Sequence, residues 1–118
     1  MEAVFKSVLE QDKAPVVICD PEHVIIYMNP AAKAQYHGDL TGKNLLDCHN
    51  ERSKEMILKV VSWFEKSPGN NIVHTFFNPK LNKDVYMVAL RDGNGKLIAY
   101  YEKHELRTAD ETPFYDLK

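Results

Sequence analysis

Cys48 and His49 are the only adjacent cysteine and histidine in the chain, and their residue types could do chemistry. A thiolate is a nucleophile and a redox centre, and a neutral imidazole is a metal ligand or proton carrier. Neighbours at the start of a helix point apart, however, whereas a base must lie within hydrogen-bond reach of its nucleophile. No serine-nucleophile motif, phosphate-binding glycine loop, kinase motif or cyclase motif accompanies the pair. We therefore expect no enzyme activity.

Metal chemistry has one candidate, His49, whose imidazole could ligate haem iron or another metal. The sequence contains no His-x-x-x-His and no Cys-x-x-Cys spacing, so it predicts no dedicated metal cluster. The alternative for His49 is a histidine at a helix start that bonds to backbone or faces solvent. For Cys48 we expect a small buried apolar residue, the alternative being a redox-sensing thiol activated by the helix start that follows it.

Composition favours one domain. The chain has 118 residues, of which 44% are hydrophobic and 27% charged, as in ordinary globular proteins. The net charge of -2 argues against a nucleic-acid partner, and no apolar run approaches the roughly 20 residues of a membrane span. The N-terminus lacks a secretory signal, and Cys19 and Cys48 are expected to be free thiols. These features predict a cytoplasmic protein.

The elements that would position the pair alternate between strand and helix patterns. An amphipathic helix is predicted at residues 51–66, with Asn50 as its N-cap and one apolar stripe along its length. A short helix is predicted within 1–12 and another at 31–36, after the Asn29-Pro30 start signal. Strands are predicted at residues 16–19, 24–28, 72–77, 85–90 and 97–104. This order predicts an α+β domain with an antiparallel sheet and helices over one face.

The sequence resembles a PAS domain over roughly residues 3–106. The resemblance rests on Tyr27-x-Asn29-x-Ala31 within 26–32, and on segments 14–20, 40–46 and 92–97 in that order. Cys48-His49 before the long helix resembles a bacterial PAS subgroup with Cys-His-Pro-Pro at this point, some of them beside hemerythrin-like domains. Asn50-Glu51 stands here in place of the two prolines.

The resemblance implies a five-stranded antiparallel sheet, short helices and one longer helix over one face, and an N-terminal helix outside. It also implies a pocket between the sheet and the helix at 51–66. Family members bind haem, flavin, small metabolites or nothing, and often dimerise through the N-terminal helix. We expect an N-terminal helix at 1–12, the PAS domain at 13–107 and a polar tail at 108–118.

Eight residues are expected to line or adjoin that pocket. His74 is expected to share a strand face with Ile72 and Phe76, whereas His23, His37 and His104 are expected to face water. A flavin photoadduct is not expected, because Gly42-Lys43-Asn44-Leu45 lacks the cysteine of the Gly-x-Asn-Cys motif in light-sensing members. The expected cofactor-binding residues are His49, Cys48, His74, Tyr27, Met56, Val60, Phe64 and Phe76.

The predicted function is a stand-alone sensory or interaction module that binds a small ligand and signals by a conformational or dimer change. Its expected partners are a second copy or a signalling protein, with no nucleic acid and no membrane. One alternative is a haem-based gas or redox sensor with His49 as the axial ligand. The other is a ligand-free dimerisation module that uses residues 1–12. Because one fold serves many functions, the resemblance alone does not choose among them.

Overall fold

The computed structural model describes residues 1–115 and 117, and within them the chain forms an antiparallel sheet with helices. A 3₁₀ turn at Leu45–Cys48 precedes the longest helix. The helices are α1 (Glu2–Glu10), α2 (Pro30–Gln35) and α3 (Glu51–Lys66). The strands are β1 (Val17–Cys19), β2 (Ile25–Met28), β3 (Ile72–Asn78), β4 (Lys83–Arg91) and β5 (Leu97–Leu106).

The five strands lie in the order β2-β1-β5-β4-β3, and every neighbouring pair is antiparallel. One face of the sheet is covered by α2 and α3. On the opposite face, the Tyr27 hydroxyl donates a hydrogen bond to Glu10 at the end of α1. The predicted α+β class and the five-stranded antiparallel sheet are confirmed, while the domain boundaries at 12, 13 and 107 stay predictions.

Local signals in the sequence place the helices. The Asn50 side chain accepts a hydrogen bond from the Ser53 amide at 2.9 Å, which caps α3. Asn29 caps α2 in the same way through the Ala32 amide, with Pro30 in the first turn. The predicted bounds of α3 are therefore confirmed. By contrast, β4 and β5 extend beyond the predicted strands, to Lys83 and to Leu106.

The hydrophobic core lies between α3 and the middle of the sheet. The inner stripe of α3 is buried there, with Phe64 fully inaccessible to solvent. Removing that much apolar surface from water is the main favourable term in folding, at about 25 cal/mol per Å². The buried residues of α3 are Ile57, Val60, Val61 and Phe64, and they form one cluster with Cys19, Ile25, Met28, Met87, Ala89 and Tyr100.

Asn29 joins α1, β1 and α2 through one buried amide. Its Oδ1 accepts from the Val16 and Ala32 amides, each at 2.9 Å, while its Nδ2 donates to the carbonyls of Leu9 and Ala14. Because unpaired buried polar groups are costly, an amide with these partners fixes the chain around it. The asparagine of the Tyr-x-Asn motif therefore has a structural role, holding these three segments together by hydrogen bonds.

Arg91 fixes the C-terminal end of α3 to the sheet. From the end of β4, its guanidinium donates to the carbonyls of Phe64, Ser67 and Asn70, at 2.6, 3.1 and 3.0 Å. It also donates to the carbonyl of Gly95 and the side chain of Asn71. These bonds supply partners for carbonyls that the end of a helix leaves free.

Replacing Arg91 with lysine is expected to lower the free energy of unfolding by about 2–3 kcal/mol. A lysine ammonium cannot reach acceptors in this planar fork, so several buried carbonyls lose their partner. Urea denaturation followed by circular dichroism measures the loss. Arg52→Lys, at an exposed residue of α3, is the matched control and should change stability by less than about 0.5 kcal/mol. Equal losses in the two variants would contradict the anchoring role.

Candidate functional site

A cavity of about 600 Å³ lies beneath the N-terminal half of α3. Its roof is formed by α3 with Arg52, Ser53 and Met56, and its floor by β3, β4 and β5. This volume falls within the range of about 300–1,000 Å³ typical of small-molecule sites. Other depressions are more open, one beside the Arg91 anchor and one lined by α3 alone. The cavity is therefore the candidate site.

Three polar side chains from the ends of β4 and β5 reach the cavity floor. Lys83 is 5% exposed, and the side chains of Glu102 and His104 are 16% and 6% exposed. They occupy the sheet face that farther along carries the apolar core. Buried polar groups normally have partners, so three of them around one cavity distinguish it from the rest of the sheet face.

Lys83 is held mainly by an amide. Its Nζ donates to Oε1 of Gln35 on α2 at 3.2 Å. Among the residues described, no carboxylate comes within 4.0 Å of that ammonium. Burial lowers the pKa of Lys83, and the more distant Glu102 carboxylate opposes the change. The cavity therefore holds a cation that lacks a direct counter-ion.

His104 and Glu102 are adjacent on the same face of β5. Nε2 of His104 is 3.7 Å from Oε2 of Glu102, too long for a hydrogen bond. Nδ1 of His104 is buried and has no partner in the described part of the chain. The expectation that His104 faces water is thus wrong, because β5 continues to Leu106 and turns this residue inward. An orphaned buried nitrogen is costly unless something occupies the cavity.

His49 lines the cavity at the start of α3, while Cys48 beside it is exposed. Nδ1 of His49 is 2.8 Å from the carbonyl of Leu45, and since a carbonyl only accepts, Nδ1 carries the proton. Nε2 then keeps its lone pair. The expectation that Cys48 is buried is wrong, because the 3₁₀ turn buries Leu45 and turns the thiol outward.

The other expected site residues divide between the cavity, the core and the far face. Met56 and Phe76 line the cavity. Val60 and Phe64 belong to the solid core farther along α3. Tyr27 lies on the outer face of the sheet, where it bonds to Glu10, so its expected place in the pocket is wrong.

His74 is also outside the cavity. A bulge between His74 and Phe76 shifts the register of β3, so that His74 pairs with Tyr86 and Phe76 with Val85. The expected shared face of His74 and Phe76 is wrong, because one extra residue turns the side chains that precede it to the other face. On the outer face, His74 stacks on Tyr86 at 4.8 Å and contacts Asp84 at 2.8 Å.

Cys19 lies in the core, and both cysteines are free thiols, as expected. Burial raises the pKa of Cys19 to about 12, which keeps it protonated and unreactive at neutral pH. Its neighbour Tyr100 is 2.7 Å from Nδ1 of His23, so His23 is tied to the core rather than free in water. Burial lowers the pKa of His23.

Metal-binding clusters and membrane-spanning helices are both absent from the described residues. No group of three or more His, Cys, Asp and Glu side chains there is arranged to hold a metal ion. Within residues 1–115 and 117, no helix is long and apolar enough to cross a bilayer.

The sequence interpretation missed Lys83, Glu102 and His104. A usable signal was present, because residues alternate between the faces of a strand. Lys83 continues the inward series of Val85, Met87 and Ala89 on β4. Glu102 and His104 continue the inward face of Tyr100 on β5. Extending the predicted strand 85–90 back by two residues places Lys83 inside, and Glu102 and His104 already lie within the predicted strand 97–104.

Comparisons with known proteins give a consistent answer at the level of structure. No protein-family model matches the sequence, and no curated protein matches it at a significant level. The PAS domain of Bordetella pertussis BvgS superposes with a TM-score of 0.66 at 11% identity, covering 92% of this chain and 87% of that one. A PAS domain from Colwellia psychrerythraea superposes with a TM-score of 0.67 at 13% identity, covering 88% and 94%.

A third structure, an RNA-binding Light-Oxygen-Voltage receptor, superposes with a TM-score of 0.62 at 12% identity. The match covers 89% of this chain but only 32% of that receptor. The strand order, the antiparallel pairing and the helix over one face agree with these superpositions. The chain is a PAS-fold domain.

Proposed function

We propose that this chain is a sensory module whose ligand is a small molecule bound in the cavity beneath the N-terminal half of α3. The observation that carries the proposal is a pair of buried polar groups at the cavity, one without a counter-ion and one without a hydrogen bond in the part of the chain that the structure describes. Lys83 has no direct counter-ion among the described residues, and Nδ1 of His104 has no hydrogen bond there. A bound molecule would supply partners for both, which repays part of the cost of burying them.

Signalling would follow from a change in how tightly α3 lies on the sheet. The C-terminal half of α3 is fixed by Arg91 and the core, whereas the first turns of the helix border the cavity. A ligand that binds one position of these turns more tightly shifts the population toward it. A second copy of the chain or a signalling protein would read the change. One of the similar structures is called a receptor, which supports a sensory role.

The decisive test is whether the cavity takes up a small molecule. Native mass spectrometry of the purified protein and thermal shift against a metabolite panel should identify a ligand. At 100 times its Kd it should add about 2.7 kcal/mol of stability, a rise in Tm of about 10 °C. Ser53→Trp fills the cavity from α3 and should weaken binding at least about tenfold.

Ser62→Trp provides the control on the exposed side of the same helix, and it should bind within about twofold of the original protein. No bound mass and no thermal shift with any compound would overturn the proposal. Equal weakening by the two tryptophans would overturn the placement of the ligand in this cavity.

A second function, haem-based gas or redox sensing, is favoured by the geometry of His49. The hydrogen bond from Nδ1 to the Leu45 carbonyl fixes the ring and leaves Nε2 as a metal ligand. This is how protein histidines that bind metals are usually held.

His49 is suited to bind haem iron, but the polar walls of the cavity are poorly suited to the haem macrocycle. Haem presents broad apolar faces, and these would cover the buried side chains of Lys83 and Glu102. Covering charged groups with apolar surface is costly unless each is paired. For this reason haem sensing ranks second to a small polar ligand.

Under this second function, haemin added to the purified protein gives a saturable Soret band at one haem per chain. His49→Asn should abolish that band, because an amide does not replace the imidazole as the axial ligand. His37→Asn is the matched control, since His37 is exposed and asparagine tolerates its positive φ of 58°. An unchanged band in His49→Asn would eliminate His49 as the ligand.

The third function, dimerisation without a ligand, is favoured by the exposed apolar face of α1. Val4, Phe5 and Val8 are 56%, 63% and 65% exposed, and no residue of this helix is buried. Only its last turn is tied down, through Leu9 and Glu10. A single short helix with an uncovered stripe gains stability by packing on another surface.

The double variant Phe5→Glu/Val8→Glu should therefore be monomeric at concentrations where the original protein is a dimer. Two charges on the stripe would be buried without partners at the contact, which costs several kcal/mol. Sedimentation equilibrium measures the association. Leu58→Glu, at a half-exposed position on α3, is the control and should remain dimeric. A dimer that survives the double variant would refute a contact through α1.

A further inference from the structure

The polar side chains on the cavity floor lie at three successive levels along the strands. On the paired strands β4 and β5, Lys83 lies opposite Leu106 and Met87 lies opposite Glu102. The level between them holds Val85 and His104. At about 3.4 Å per residue, the backbone levels of Lys83 and Glu102 are about 14 Å apart along the strands. Both side chains are long, and the Glu102 carboxylate is near enough to oppose the lowering of the Lys83 pKa by burial, so the two charges lie closer together than their backbone levels without forming a direct ion pair. The cavity thus has a positive end, a negative end and an imidazole between them.

Neither end has a counter-ion within hydrogen-bond distance among the described residues. In the part of the chain that the structure describes, the closest charged contact of Glu102 is His104 at 3.7 Å, and Lys83 bonds to the Gln35 amide. A buried charge is tolerated when it is paired and hydrogen-bonded. Arg52 also borders the cavity, but its side chain is exposed, so water can satisfy it.

We propose that the cavity binds a small zwitterion of the α-amino acid class. Its carboxylate pairs with the Lys83 ammonium, its ammonium faces the Glu102 carboxylate, and Nδ1 of His104 takes a further hydrogen bond between them. This assignment rests on the proposed ligand-binding function and adds the class of ligand. The lysine and the glutamate together carry no net charge, which matches a ligand that carries none.

Ligands with a single charge satisfy only one end. A simple carboxylate would pair with Lys83 and leave Glu102 buried beside a second anion. A simple amine would do the reverse, leaving the ammonium of Lys83 unpaired. An uncharged molecule would desolvate both ends and pair with neither, so its polar contacts would be the least favourable.

The test compares each proteinogenic L-amino acid with its deaminated carboxylate and its decarboxylated amine. Thermal shift at millimolar concentration screens the set, and isothermal titration calorimetry gives the affinities. At least one L-amino acid should bind about tenfold or more tightly than both of its single-charge partners. Binding of no amino acid, or equal binding of the carboxylate alone, would overturn the assignment.

Two variants locate the two ends. In Lys83→Met, an amino acid should bind at least about tenfold more weakly and lose its advantage over the matching amine. In Glu102→Gln, it should lose its advantage over the matching carboxylate. Loss of affinity with both advantages intact would contradict the assigned orientation.

The controls lie on the opposite face of the same strand. Lys103 and Glu105 form an ion pair on the outer face of β5. Lys103→Met and Glu105→Gln make the same chemical changes there and should bind within about twofold of the original protein. If the outer-face variants weakened binding as much as the cavity variants, the inference would fail.

Failure of this inference can be told apart from failure of the proposed function. If a compound outside the amino acid class loads the cavity and Ser53→Trp blocks it, the sensory function stands and the zwitterion assignment falls. If no compound binds and native mass spectrometry shows an empty protein, both fall.

Discussion

The hydrogen bonds from Arg91 to the end of α3 determine which half of this helix is held firmly against the sheet. One guanidinium takes the carbonyls of Phe64, Ser67 and Asn70, and the core buries the helix stripe beside them. The C-terminal half of α3 is therefore held both by hydrogen bonds and by apolar packing. The N-terminal half has its cap at Asn50 and one core residue, Ile57, and its first turns border the cavity. A helix supported this unequally has one fixed end and one compliant end.

The same division appears on the sheet beneath the helix. Along the inner face of β4 and β5, apolar Met87, Ala89 and Tyr100 give way to Glu102, His104 and Lys83. Apolar residues of similar volume would stabilise the fold more, because buried charges gain little when they are not directly paired. Inward-facing residues of a sheet are normally apolar, and polar residues at such positions in one part of an otherwise apolar core are typical of a functional site. The cavity and the compliant end of α3 coincide at this point.

An element or a buried position could be predicted from the sequence where the contacts that determine it lie within a few residues along the chain. The caps at Asn29 and Asn50 and the apolar stripe lie within a few residues of the helices they define, so α2 and α3 were predicted closely. The bulge that turns His74 away from Phe76 has no such local mark. The burial of Lys83 and His104 depends on pairing between strands and on the cover from α2, which connect residues far apart in the chain.

The Cys48-His49 pair shows why adjacent residues need not share a role. The 3₁₀ turn ends at Cys48 with its thiol exposed, while the next residue directs its imidazole into the cavity and bonds back to Leu45. His49 therefore stands where the turn meets the first residues of α3. Because that end of the helix is held less firmly, a ligand bound as proposed and in contact with His49 would move the helix more there than at the end held by Arg91. Under the proposed function, this position suits a residue that senses the ligand, while Lys83 and Glu102, on the sheet, suit the task of selecting it.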